Sequence, residues 1–405
     1  MTYIFERLRA VAHWQFGWLA LLAALALTGM GIEAIETTDL ADGNAGGYAH
    51  RQTIWLGLCL AAFGISLLPH PRQIARASYF LYVVTLMLLL LLVVPGMPES
   101  IVPVRNGARS WINLRVMNFQ PSELAKITSV LALAWFLRYR SSHRAVRGLL
   151  VPFLMIFVPT MLILRQPDLG TAILFGPALV AMLVAAGAKL RHLGGVVLLA
   201  LVAVAANVFI VLALPDALQV LKPHQRARIK ATVSQARGQH RYDSSINYQQ
   251  RKAVVLVGAG RVHGYGADRS ATMLRFNHLP HHHNDMIYAV MVNRWGFVGG
   301  AAVICLFSVI VLAILVLAWR SKEPFVRLIL VGFGTMFFTQ AMLNVAITLG
   351  MMPVTGITLP FVSYGGSSLL ATFGMLGLAV NFGGQRVALL TRPSFEYDER
   401  DAATA

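Results

Sequence analysis

Residues 281–318 read HHHNDMIYAVMVNRWGFVGGAAVICLFSVIVLAILVLA. From Met286 onward the run is apolar apart from Asn293, Arg294 and Ser308. It exceeds the roughly 20 residues that a bilayer-spanning helix requires, so it reads as a membrane helix whose first turns lie at the interface. Asp285 stands at its entrance. Immediately upstream, the 69 residues from Pro215 to His283 are polar and strongly basic. A carboxylate at the mouth of a span, beside a cationic loop, suits chemistry on an anionic substrate at the bilayer surface.

The rest of the chain agrees with that class. Hydrophobic residues make up 57% and charged residues 13%; soluble domains carry about 25% charged residues, so half of the usual solvating surface is missing. The pattern predicts an all-α polytopic membrane protein with about ten spans: 15–34, 52–69, 77–96, 120–137, 148–165, 170–187, 193–214, 285–318, 325–349 and 360–385. With the N-terminus cytoplasmic, inside segments carry 16 Lys and Arg and the short outside segments carry 5. Long loops are largely exempt from the positive-inside rule, so this contrast places both termini in the cytoplasm and the 215–283 loop, between spans seven and eight, outside. Residues 1–391 read as one integral domain and 392–405 as a cytoplasmic tail. Cys59 and Cys305 both fall within spans, where they read as packing residues without a disulfide or zinc pattern. The first span has no small-residue cleavage site and is expected to remain as a helix.

Within the long loop, 219–239 is basic and could lie as an amphipathic helix on the membrane surface. Tyr248–Gly258 reads as helix, and the glycines 258, 260, 264 and 266 read as turn formers, since no strand–turn–helix unit makes them a nucleotide fingerprint.

Only 17 acidic residues are present, so candidates for acid–base work can be eliminated by position. Glu6, Glu323, Glu396, Asp398, Glu399 and Asp401 fall on the cytoplasmic side; Glu33, Glu36, Asp39 and Asp42 fall in the first outer loop, on an ordinary solvated surface; Glu99, Asp216, Asp243 and Asp268 lie in loops without apolar context. Glu123, Asp168 and Asp285 remain. Glu123 and Lys126 share a helix face and can pair; an ionisable pair at membrane depth marks function or orients helices. Asp168, in the turn before span six, suits either a helix cap or substrate work. Asp285 can cap or serve as a base, because partial desolvation and nearby cations pull its pKa in opposite directions. His278, His281, His282 and His283 would suit zinc or copper rather than magnesium, and an exposed, anion-contacting cluster is the simpler reading.

These residues lie in motifs that are similar to a family. The stretches Asn106–Ile112, Phe119–Lys126, Gln166–Thr171, His224–Ile229, His283–Ala289 and Pro353–Ser368 occur in order across most of the chain. Together they resemble the SEDS family (RodA, FtsW and SpoVE), polytopic peptidoglycan glycosyltransferases of the bacterial plasma membrane. The resemblance implies ten spans with a large loop between the seventh and eighth. The implied substrate is lipid II, a disaccharide-peptide on undecaprenyl pyrophosphate, polymerised at the outer leaflet. Asp285 matches the aspartate that the family is thought to use as catalytic base. Arg109, Lys126, Arg226 and Arg228 would hold the leaving pyrophosphate, alone or with a divalent cation such as Mg or Mn. Glu123 and Asp168 would shape the cavity or hold a metal, and Ser363, Gly365, Gly366 and Ser367 would support the cavity, the serines satisfying freed backbone groups.

The implied partners are a class B penicillin-binding protein and the elongation or division machinery, with no nucleic acid. Lipid II flipping and a non-catalytic scaffold are the rival readings. The chain also departs from the family pattern: His281 stands for a glutamate, Asn284 for a threonine, and Asn293 and Arg294 for paired glutamates. Proton-relay or metal roles cannot be carried over to those positions.

Overall fold

The computed structural model describes residues 15–43, 47–94, 96–104, 109–115, 117–140, 145–213, 248–279 and 283–384. Arg226, Arg228, His281, His282, the 219–239 segment and the C-terminal tail lie outside the described residues. Within them the protein is helical: α1 Gln15–Asp42, α2 Gly47–Ser66, α3 Pro71–Val93, α4 Pro121–Leu137, α5 Leu150–Arg165, α6 Leu169–Ala185, α7 Leu190–Ala213, α8 Tyr248–Ala259, α9 Gly266–Asn277, α10 Ile287–Arg320, α11 Pro324–Thr348 and α12 Gly366–Gly384. A two-residue antiparallel ladder, β1 Ile112–Asn113 with β2 Asn118–Phe119, precedes α4. Six of the helices are long and apolar enough to cross a membrane: α1, α3, α5 with its leading turn, α10, α11 and α12.

Helix starts follow local chemistry. Pro121 and Pro324 open α4 and α11 at positions where a missing amide costs nothing. His70 caps α3, its imidazole accepting the Arg72 amide at 3.2 Å while the Gln73 side chain accepts the His70 amide at 3.0 Å. α11 and α12 form the interior, with Phe325, Phe333, Phe337, Phe373 and Phe382 fully buried. By contrast α3 and α5 leave most of their apolar surface outward, as lipid-facing helices do. α1 packs along α10, and α2 along α12.

Two sequence expectations change. First, α1 does not stop near residue 34 but continues to Asp42, since nothing from Ile32 to Asp42 breaks a helix. The acidic cluster therefore lies on its last turns, where Glu33, Glu36 and Asp42 are exposed as expected and only Asp39 departs from a solvated surface. Asp39 is fully buried. Its carboxylate accepts the Tyr48 amide at 3.0 Å and the Ala49 amide at 2.9 Å, binding the positive N-terminal end of α2. Second, the tenth span starts at Gly366, and residues 350–365 run as an irregular segment.

The long helix α10 is broken. Gly296 adopts φ +71°, ψ −166°, dividing a buried first part from a second part that is itself long enough to span. The first turns, Ile287–Asn293, are buried within the protein. Backbone groups released at the break find partners in the turn after α8: the Phe297 and Val298 amides donate to the Arg261 and Val262 carbonyls at 2.8 and 3.2 Å, and the Tyr265 amide donates to the Asn293 carbonyl at 3.1 Å. The approach is too close for side chains. A Cβ on Gly296 would lie 2.2 Å from the Val262 oxygen, and one on Gly264 2.3 Å from the Arg294 oxygen. Of the loop glycines, Gly260 and Gly264 thus serve tight backbone packing, whereas Gly258 and Gly266 have open space around them.

Candidate functional site

His283, Asn284 and Asp285 form the turn that opens α10, and all three of their carbonyls are bound from other elements. The Tyr364 amide donates to the His283 oxygen at 3.0 Å. Ser363 Oγ donates to the Asn284 oxygen at 2.7 Å and accepts the Leu359 amide at 2.8 Å. Asn344 Nδ2, on α11, donates to the Asp285 oxygen at 2.9 Å and to the Ile357 oxygen at 2.8 Å. The His283 ring stacks on Tyr48 with centroids 4.6 Å apart, and Tyr364 meets Tyr48 edge-on at 4.9 Å. Asp39 therefore contributes indirectly, by fixing the N-terminus of α2 that carries Tyr48.

The half-buried Asp285 faces Gly356, where an added Cβ would stand 3.8 Å from Oδ2. The other two carboxylates left by elimination are linked to the 355–358 segment through neighbouring residues, not by direct contact. From Asp168, the contact runs through Gly170, which leaves room for only a hydrogen against the Thr355 oxygen and Ile357. From Glu123 it runs through Lys126: the ammonium lies 2.8 Å from Glu123 Oε2 and donates to Gln340 Oε1 at 3.1 Å, and Gln340 Nε2 donates to the Thr358 oxygen at 3.0 Å.

Other expected site residues take plainer places. Asp168 caps α6 by accepting the Thr171 amide at 3.0 Å, and its second oxygen accepts Gln120 Nε2 and Ser122 Oγ, each at 3.2 Å. Lys126 is 2% exposed and its charge is matched by Glu123, so it presents no open cation to a ligand. Arg109 is half-buried beside Ser110, whose hydroxyl ties the chain to the Gln166 carbonyl at 3.0 Å, just before Asp168. Ser367 Oγ accepts the Gln120 amide at 3.1 Å and Ser368 pairs with Thr358 at 3.2 Å. Gly366 lies against the Trp55 ring, where a Cβ would be 2.3 Å from Cε2, whereas Gly365 has ordinary space around it.

The replaced positions are structurally absorbed. Asn293 is fully buried, accepting from Ser270 Oγ at 2.7 Å and donating to the Leu256 oxygen at 3.0 Å. Arg294 reaches α1, with Glu33 Oε2 and Thr37 Oγ1 each at 2.8 Å. A glutamate at 293 would keep the Ser270 donor but meet the Leu256 carbonyl, and one at 294 would face the Glu33 carboxylate.

A resident Mg or Mn favours several oxygen ligands, carboxylates among them. Among the described residues no three His, Cys, Asp or Glu gather as a metal cage. Glu123 is committed to Lys126, and Asp168 to its three donors. These donors, already engaged, do not fit a resident divalent ion.

Sequence reasoning passes over Gln340 and Asn344. Their signal was spacing: two carboxamides four apart on one face of an apolar helix, where polar groups turn toward protein.

Comparison with known proteins gives a consistent result. The family model of the FtsW/RodA/SpoVE cell cycle proteins matches residues 14–386. The probable peptidoglycan glycosyltransferase FtsW of Thiomicrospira cyclica is 30% identical over 379 residues, covering 89% of each chain. Stage V sporulation protein E of Bacillus subtilis is 32% identical, over 82% of this chain and 86% of its own length. Among solved structures, a chain from a peptidoglycan synthase complex that coordinates polymerization and crosslinking superposes with a TM-score of 0.73 at 30% identity, covering 90% of this chain and 97% of that one. The rod shape determining protein RodA of Thermus thermophilus gives 0.65 at 27% identity, over 92% of this chain and 97% of that one.

Proposed function

The chain belongs to the FtsW/RodA/SpoVE family and is a peptidoglycan glycosyltransferase; from that premise we propose that it polymerises lipid II at the outer face of the bacterial plasma membrane, with Asp285 as general base. The supporting observation is the placement of Asp285: a half-buried carboxylate, at the entrance of a long apolar helix, on a turn whose three carbonyls are held by other elements. Such a fixed, partly desolvated carboxylate suits proton abstraction.

The reaction joins an acceptor sugar hydroxyl to the anomeric carbon of lipid-linked donor. As the new C–O bond forms, the hydroxyl proton passes to the Asp285 carboxylate, and the bond from the anomeric carbon to pyrophosphate breaks with its electron pair. Charge gathers on the leaving pyrophosphate and calls for cations. Arg109, beside the Asp168 turn, is the described candidate; Arg226 and Arg228 are assigned there by motif. Lys126, closed in by Glu123, acts through Gln340 on the 355–358 segment instead.

In this reading ten helices (α1–α7 and α10–α12) cross the membrane, both termini are cytoplasmic and the 215–283 loop is outside. The working partner is a class B penicillin-binding protein within the elongation or division machinery. The similarity to a chain of a peptidoglycan synthase complex supports that pairing.

Lipid II flipping is a second reading, because discontinuous helices often build transport sites. In those sites the freed backbone groups face the ligand. Here the amides after Gly296 are bound by Arg261 and Val262, which favours catalysis.

The test is polymerisation of labelled lipid II by the purified protein, alone and with its class B partner. Asp285→Asn, which keeps the shape of the side chain, is expected to fold normally and to abolish polymer. Undiminished polymer from that variant would sink the base assignment; no polymer from the wild type with intact flipping in vesicles would favour transport.

A further inference from the structure

We propose that Asn344 and Ser363 are positioning residues for the glycosyl transfer: they clamp the peptide groups on either side of Asp285 and so fix where its carboxylate meets the acceptor hydroxyl. The inference rests on Asp285 being the base and adds the means by which it is held.

Asn344 is fully buried, one turn along α11 from Gln340. Its amide nitrogen carries two protons, and both are used on carbonyls of different segments, Asp285 at 2.9 Å and Ile357 at 2.8 Å. Thus one side chain locks the base-bearing turn to the 355–358 segment. Its own Oδ1 is buried without a hydrogen-bond partner. A buried acceptor left unsatisfied is destabilising, so what the carboxamide supplies at this position is its two donors.

Ser363 works one peptide upstream. Its hydroxyl donates to the Asn284 oxygen at 2.7 Å while accepting the Leu359 amide at 2.8 Å, which leaves the hydroxyl no freedom to rotate. Gln52 Nε2 in turn holds the Ser363 carbonyl at 3.2 Å. The clamp therefore has two jaws, α11 and the segment before α12, closed on consecutive peptide groups. Neither side chain is placed here in contact with substrate. Their effect passes through the position of Asp285, and a misplacement near 1 Å can cost about 100-fold in rate.

The experiment measures initial rates of labelled lipid II polymerisation by the full-length protein with its class B partner. Asn344→Leu, Ser363→Ala and Asp285→Asn are compared, and rates are normalised to the folded fraction from size-exclusion in detergent. For Asn344→Leu, kcat is expected to fall about 10- to 100-fold, with KM for lipid II changed less than about twofold, as for an interaction that matters in the transition state. Ser363→Ala is expected to show the same split with a smaller loss, and it carries the test alone if Asn344→Leu does not fold. A kcat per folded molecule within about threefold of wild type in the folded variants, while Asp285→Asn is inactive, would overturn the clamp and leave the base assignment standing. Wild-type polymerisation by Asp285→Asn would overturn both.

Discussion

The ammonium of Lys126 lies 2.8 Å from the carboxylate of Glu123, one turn earlier on α4, and both side chains are almost wholly enclosed. The pair is a closed ion pair with one outward connection, from Lys126 to Gln340 on α11. Removing one partner strands the other in a low-dielectric interior. Lys126→Met or Glu123→Gln should therefore lower stability, the former by about 3–5 kcal/mol, seen as a lower unfolding midpoint in detergent. The double variant Glu123→Leu/Lys126→Met should recover most of that stability, since an apolar pair avoids desolvating two charges. Polymerisation should stay low in the double variant, because the Gln340–Thr358 connection loses its anchor. Full activity there would show that the pair only supports the fold.

Much of the architecture is legible in the sequence because membrane helices are written as long apolar runs bounded by charge. α4, α5 and α11 lie within two residues of their expected limits. The errors have physical causes. The expected first span ends at residue 34, before the acidic turns, yet on the longer α1 Asp39 is stabilised by amides of the following helix, a tertiary effect. The break at Gly296 is invisible to hydropathy, since Asn293 and Arg294 are the only polar residues near it in an otherwise apolar run. At the site, counting carboxylates isolates Asp285, Asp168 and Glu123, whereas their links to 355–358 run through Gly170, Gln340 and Asn344, which carry no charge to count.

The break in α10 makes a sharp demand on residue type. At Gly296, φ is +71° and a Cβ would come within 2.2 Å of the Val262 oxygen. Gly296→Ala must either strain the backbone or push the Arg261–Gly264 turn away, releasing the Phe297 and Val298 amides. Strain of this kind costs about 1–3 kcal/mol, and a buried orphaned amide adds about as much again. The expected result is a marked fall in melting temperature, or no folded protein. A Gly296→Ala protein as stable as wild type would refute this account of the break.

Arg294 and Glu33 tie that break to α1, and the two halves of the contact are unequal. Glu33 is half-exposed, so its charge alone is worth roughly 0–1 kcal/mol. Arg294 is mostly buried and also donates to Thr37 Oγ1 and to the Glu33 carbonyl. Glu33→Gln should thus change stability little, whereas Arg294→Met should lower it clearly, by about 1–3 kcal/mol. Thermal unfolding of both variants at low and high salt checks the order. Equal losses, both abolished by salt, would mean that the contact is a surface ion pair and nothing more.

His70 gives the fold a pH dependence away from the reaction site, in the connection between α2 and α3. Its Nδ1 accepts the Arg72 amide and so must be unprotonated for the α3 cap to hold. Partial desolvation, and after it the charge of Arg72, lowers the pKa of this largely exposed imidazole below the ordinary value of 6.5. A depressed histidine pKa means that the unfolded chain takes up its proton first as pH falls. The cap's contribution is therefore complete above the unfolded pKa and is lost as pH drops through the lower folded one. Melting temperature should decline between about pH 7 and pH 5, and part of that slope should belong to His70. Asn at this position can still cap a helix but does not titrate, so His70→Asn should retain stability at neutral pH and show a shallower decline on acidification. Parallel melting curves for the two proteins across that range would show that the cap is not the pH-sensitive element.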